Sequence, residues 1–79
     1  MEYNEEKVDE MVLALLYLTS FTEHGVTRAW KGHDWDVLNR LSEKGLISDP
    51  RSKAKSVVVS DDAAKESARL FWKYFGKQT

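Results

Sequence analysis

The sequence predicts one small α+β domain, mainly helical, spanning residues 1–79. Three observations carry that expectation. Apolar residues recur at helical spacing in separate stretches, each opened by a side chain suited to capping a helix. A β-branched run, Ser56-Val57-Val58-Val59-Ser60, follows a short apolar segment and an Asp-Pro turn. And 79 residues is within the range of a single domain and too short for two of ordinary size.

The first helix is expected from Asn4 or Glu5 to Leu18. Asn4 suits the N-cap, and Glu5 and Glu6 suit the positive end of the helix dipole. Val8, Met11, Val12, Leu15, Leu18 and Thr19 share one face at i, i+3, i+4 spacing, while Leu13, Ala14, Leu16 and Tyr17 make the second half apolar all round. Gly25 breaks the pattern, Thr27 suits a cap, and Arg28-Ala29-Trp30 is expected to form one turn of a short second helix. Asp34 caps a third, with Trp35, Val37, Leu38 and Leu41 as its apolar stripe and Gly45 just beyond its end. Trp30 and Trp35 are expected in the core, on either side of the turn between those helices. Leu46-Ile47-Ser48 and Val57-Val58-Val59 should pair as a hairpin across Asp49-Pro50-Arg51-Ser52, where Asp and Pro occupy the positions that type I turns favour. Ser60 caps a last helix, with Ala64, Ala68, Phe71 and Phe75 on one side, Leu70 and Tyr74 beside them, and Gly76 at its end.

Helix, short helix, helix, hairpin, helix is the winged helix-turn-helix plan: three helices, a two-stranded wing and a C-terminal helix. From Trp35 to Phe75 the chain resembles the second half of a prokaryotic winged-helix regulator, through Lys44-Gly45-Leu46-Ile47, the basic turn, and Ser60-Asp61-Asp62-Ala63-Ala64. Ala63 stands where such regulators usually have Gly. A second resemblance, to a small prokaryotic family of proteins of unknown role, covers nearly the whole chain. It rests on the segments His24-Gly25-Val26-Thr27-Arg28-Ala29-Trp30-Lys31-Gly32-His33-Asp34-Trp35, Gly45-Leu46-Ile47-Ser48-Asp49-Pro50 and Lys55-Ser56-Val57. It implies a fold and no activity, because fold alone does not license function.

Charge is unevenly distributed. Residues 1–25 hold one lysine against six carboxylates, a net −5, and residues 26–79 hold eleven basic against seven acidic groups, a net +4. A total of −1 argues against a strong non-specific polyanion binder but leaves room for a local basic surface. No cysteine is present, so disulfides and thiolate metal sites are excluded. His24, His33, Asp34 and Asp36 match no closed zinc spacing, and no metal or other cofactor is expected. No nucleophile–base order or phosphate-binding glycine loop marks a catalytic centre, so a non-enzyme is expected. The apolar run Met11–Leu18 is too short to span a bilayer and lacks a basic leader, so neither a membrane partner nor export is expected, and the location expected is cytoplasmic.

The expected function is DNA-binding transcription regulation, with double-stranded DNA as partner. A winged helix places its third helix in the major groove and its wing over phosphates. Asn39 and Arg40 face outward on that helix and are the types that read adenine and guanine edges. Asp36 and Glu43 lie beside them and oppose phosphates. Arg51, Lys53 and Lys55 on the wing, with Arg28 and Lys31, would contact the backbone. Lys65, Arg69, Lys73 and Lys77 on the last helix read as its wet face, with Glu66 three residues before Arg69. The excess apolar perimeter of the first helix predicts a homodimer through Leu13, Leu16 and Tyr17. The alternative is a protein-interaction module without DNA binding, gripping its partner with that helix and the acidic flank.

Overall fold

A computed structural model of the chain describes residues 2–77. The chain runs α1 (Glu5–Leu16), β1 (Ser20–Glu23), β2 (Val26–Trp30), α2 (Trp35–Glu43), β3 (Ser56–Val58), α3 (Asp61–Phe75). The α+β class holds, with three helices and one antiparallel sheet of order β1-β2-β3 among the described residues.

Local chemistry sets most boundaries. The Lys7 N–H donates to the Asn4 side chain at 3.0 Å, the Val37 N–H to Asp34 at 3.3 Å and the Ala63 N–H to Ser60 at 3.1 Å, so three of the four expected N-caps form, Thr27 lying instead within a strand. Gly45, at φ 76°, ends α2 in the left-handed conformation that glycine adopts without steric cost. Helix α1 stops two residues short of Leu18. Its last carbonyls are taken up by i→i+3 bonds and by the Thr19 and Ser20 hydroxyls, which donate to Leu16 and Tyr17.

The short second helix is replaced by strand. Arg28, Ala29 and Trp30 belong to β2, paired antiparallel with β1 in the register Ser20↔Ala29 to Glu23↔Val26. His24 and Gly25, at φ 52° and 77°, make a two-residue turn with both central residues left-handed, the pattern whose twist matches a hairpin. Phe21, Thr22, Val26, Thr27 and Trp30 are β-formers on either side of it, which is why a strand pair wins over a helical turn. The helix-turn-helix pair is therefore not formed. The expected wing pairing survives in part. Ile47 bridges Val59, the Ser48 N–H donates to the Val58 carbonyl at 2.9 Å, and the Ser60 N–H donates to the Leu46 carbonyl at 3.0 Å. The main partner of β3 is instead β2, in the register Arg28↔Val58, Ala29↔Val57, Trp30↔Ser56.

Two layers result, in a body whose shortest dimension is 19 Å. Alternation along the strands turns Ala29 and Val57 inward, where they join Leu13, Leu16, Val37, Leu38, Leu41 and Leu70 in one core. Leu13 and Leu16, expected at a subunit interface, are thus buried inside their own chain. The buried stripe of α1 runs through Asp9, Leu13 and Leu16, with Ala14, and leaves Leu18 65% exposed. On α3 the core side is Ala63, Ser67 and Leu70, with Ala64 and Tyr74 half-buried against it, while Ala68 and Phe71 are half-buried and Phe75 is exposed. The Ser67 hydroxyl donates to the Leu13 carbonyl at 2.6 Å and pins α3 to α1. Trp30 and Trp35, expected in the core, are both more than half exposed.

Candidate functional site

Arg40 is committed internally. Its Nε and Nη2 donate to the Asp9 carboxylate at 2.7–2.9 Å, and its Nη1 donates to Glu5 at 2.9 Å. Lys44 adds a third contact to Asp9 at 2.9 Å. Asp9 is 2% exposed, and the Arg40 guanidinium holds its carboxyl below the usual range while Arg40 itself is raised. The cluster is a clamp between α1 and α2, and the guanidinium spends its Nε–Nη2 fork on Asp9 and its charge on Asp9 and Glu5, not on a base edge.

The other expected nucleic-acid contacts gather around the segment between α2 and β3. Asn39 is half-buried and lines an open cleft of about 250 Å³ with Ser42, Glu43, Asp49 and Arg51. Arg51 is turned onto Asp49, 3.0 Å away, which raises the arginine and lowers the carboxyl. The Lys31 ammonium donates to the Ser52 carbonyl at 2.7 Å, and the Lys31 N–H to the Lys55 carbonyl at 3.2 Å. Arg28 donates from Nε to the Ser56 hydroxyl at 2.8 Å and from Nη2 to the Ser56 carbonyl at 3.1 Å. Lys53 and Lys55 are exposed and form no side-chain hydrogen bond or ion pair among the described residues. Helix α2 still presents Asp36 and Glu43 to solvent.

Two aromatic surfaces were not legible beforehand. One is a ridge where the C-terminal ends of α1 and α3 meet. Tyr17 lies 5.0 Å from Phe71 and 6.0 Å from Trp72 between ring centroids, and Phe71 lies 5.4 Å from both Trp72 and Phe75. Trp72 is 59% and Phe75 48% exposed, with exposed Leu18 next to Tyr17 in the chain. Of the three residues expected at a dimer interface, only Tyr17 lies on this surface. The spacing of Phe71 and Phe75 signals a shared helix face, but nothing local tells which face the core takes. The second surface is the outer side of the sheet. There Phe21 and Trp30, diagonal neighbours on β1 and β2, lie 4.9 Å apart between ring centroids.

A third cluster joins α1 to α3. The Tyr74 hydroxyl donates to Glu10 at 2.7 Å and accepts from Lys7 at 3.3 Å, and this hydrogen bond lowers the Glu10 carboxyl. The Lys7 and Lys73 ammoniums each stand 5.1 Å from the centroid of that ring. Arg69 pairs with Glu66 on the wet side of α3, as their spacing leads one to expect. Among the described residues, no helix is long and apolar enough to cross a membrane, and no group of three His, Asp or Glu stands ready to hold a metal.

The uncharacterized protein y4hR of Sinorhizobium fredii (strain NBRC 101917 / NGR234) is similar to this chain, with 48% identity over 75 residues, or 95% of this chain and 97% of that protein. No solved structure matches. The resemblance to a small prokaryotic family is borne out: residues 4–77 match the family described as "Domain of unknown function (DUF6429)", and the chain belongs to it.

Proposed function

We propose that this domain is a non-enzymatic protein-interaction module whose contact surface is the aromatic ridge of Tyr17, Phe71, Trp72 and Phe75, and that its first occupant is a second copy of the chain. The exposure of that ridge carries the reading. Four aromatic rings in mutual contact, two of them about half open to water, are costly to leave uncovered in a domain of this size. Aromatic anchors of this kind dominate protein contacts. A 79-residue chain with a marginal core also gains most from association. Sedimentation equilibrium over a hundredfold range of concentration is the test. The wild type should associate, and Trp72→Ser should weaken association at least tenfold without altering the far-ultraviolet circular dichroism. A wild type that stays monomeric at high micromolar concentration would overturn the self-contact.

A second reading is favoured by one observation, that Lys53 and Lys55 on the 49–55 loop have no side-chain partner among the described residues. On it, the half of the chain from α2 to α3 is winged-helix-like, and the loop holds the phosphates of double-stranded DNA as a transcription regulator's wing does. The Ile47–Val59 pairing supports the wing. Replacing both lysines by alanine should lower the slope of log affinity against log salt by about 0.9 per lost contact on duplex DNA. An unchanged slope, or no duplex binding at about 50 mM salt, would remove this reading.

A further inference from the structure

We propose that the second copy of the chain is met along the open side of α1 as well as at the ridge, through the apolar stripe Met11, Leu15 and Leu18. The inference rests on the ridge contact and extends it, because the ridge alone is too small to hold two copies together.

Helical spacing defines the stripe. Met11, Leu15 and Leu18 each follow by two residues, roughly 200° round the helix, a member of the stripe Asp9, Leu13 and Leu16 that α1 buries. The buried stripe is committed within its own chain. Asp9 is held by Arg40 and Lys44 at the end of α2, Leu13 and Leu16 lie in the core, and Ser67 of α3 bonds to the Leu13 carbonyl. Val8 and Val12, between the two stripes, pack against the core. Met11 and Leu15 are half-buried but are not among the side chains packed there, and Leu18 is 65% exposed. The Leu18 N–H donates to the Leu15 carbonyl at 3.1 Å, an i→i+3 bond that sets Leu18 over Leu15. Leu18 also follows Tyr17, so the stripe runs directly into the ridge.

Area shows why a second copy needs this side. Trp72 and Phe75, at 59% and 48% exposure, leave open about half of the roughly 150–250 Å² that an aromatic side chain can bury, or about 200 Å² between them. A stable interface buries about 800 Å² on each partner. The contact therefore has to reach beyond the rings, and charge decides which way. On α3 the row beside Trp72 is Lys65, Arg69 and Lys73, which a partner of the same sequence would have to strip of water or set against like charge. On the α1 side, from Met11 to Thr22, the chain carries no charged residue. Lys7, one turn before Met11, is turned onto Tyr74 and Glu10. An uncharged apolar stripe asks for no complementary charge, so it can meet its own image across a two-fold axis, as a symmetric dimer requires.

Sedimentation equilibrium of the full chain tests the stripe separately from the ridge. Leu15→Glu and Leu18→Glu should each weaken association at least tenfold, because a carboxylate would be buried without a partner, and should leave the far-ultraviolet circular dichroism unchanged. Association that Trp72→Ser weakens and both glutamates leave unaltered would overturn the stripe while the ridge stands. A wild type that stays monomeric at high micromolar concentration would remove both. The chain has no cysteine, so Met11→Cys, Leu15→Cys and Leu18→Cys each give a single thiol for a short bismaleimide. At least one of the three should link two copies, and Ser52→Cys, on the 49–55 loop, should not. Linking through Ser52→Cys with none through the stripe would place the partner elsewhere and overturn the proposal. If Leu15→Glu fails to fold, Leu18→Glu, at an exposed position, and the pattern of linking decide.

Discussion

Replacing Asp9 with Asn would test the clamp between α1 and α2. The side chains are nearly isosteric, so no cavity opens and the change isolates charge and hydrogen bonding. Asp9 is almost fully buried and accepts from Arg40 at 2.7–2.9 Å and from Lys44 at 2.9 Å. An asparagine keeps one acceptor and turns an amide donor toward those cations. Breaking a buried ion pair from one side costs about 3–5 kcal/mol. The low end applies here, because Arg40 keeps Glu5 at 2.9 Å and the half-exposed Lys44 can turn to water. About 3 kcal/mol is a large share of a small domain's stability and should lower Tm by roughly 12–24 °C. Urea unfolding followed by circular dichroism measures it. The difference should also depend on pH. The folded-state pKa of Asp9 is lowered by Arg40, so its contribution is full above the unfolded value near ~3.9 and is lost as pH falls through the folded value. The gap between wild type and Asp9→Asn should therefore close in acid. A loss under about 1 kcal/mol at neutral pH, the range of an exposed pair, would refute this account of the clamp.

Three further outcomes are expected. Leu16→Ala should cost about 2–5 kcal/mol in urea unfolding, because Leu16 is fully buried in its own chain, and should not act as an interface substitution would. Gly25→Val should destabilise the hairpin by about 1–2 kcal/mol, since it forces a β-branched residue to φ 77°, and loss of the Glu23–Val26 cross-strand contacts in a nuclear Overhauser spectrum would report it. Ser60→Ala should cost about 1 kcal/mol through the lost cap on α3, read by thermal unfolding.

What the sequence made legible was local. Asn4, Asp34 and Ser60 cap helices because their side chains reach a backbone N–H three residues on, a relation visible in the chain itself. Gly45 ends α2 for an equally local reason. The β1–β2 hairpin was missed because Gly25 suggested only a helix break. The informative unit was His24-Gly25 flanked by Phe21-Thr22 and Val26-Thr27, with a histidine in a left-handed position where asparagine or aspartate is the usual signal. The clamp was hidden because Arg40 lies 31 positions from Asp9. Asp9 shares a stripe with Leu13 and Leu16, but nothing near it in the chain names the cations that bury it. The ridge was hidden for a related reason. Hydrophobicity marks Trp30, Trp35, Trp72 and Phe75 as apolar, but which side of an element the core occupies is settled by what packs against it.

The central claim, that the aromatic ridge is where this chain meets a second copy, is tested most directly by an isotope-filtered nuclear Overhauser measurement. An equal mixture of labelled and unlabelled protein at high micromolar concentration would be used. Contacts between copies should appear at Phe71, Trp72 and Phe75 and be absent from Phe21 and Trp30. Intermolecular contacts confined to the sheet, or none in a sample that sedimentation shows to be associated, would contradict it.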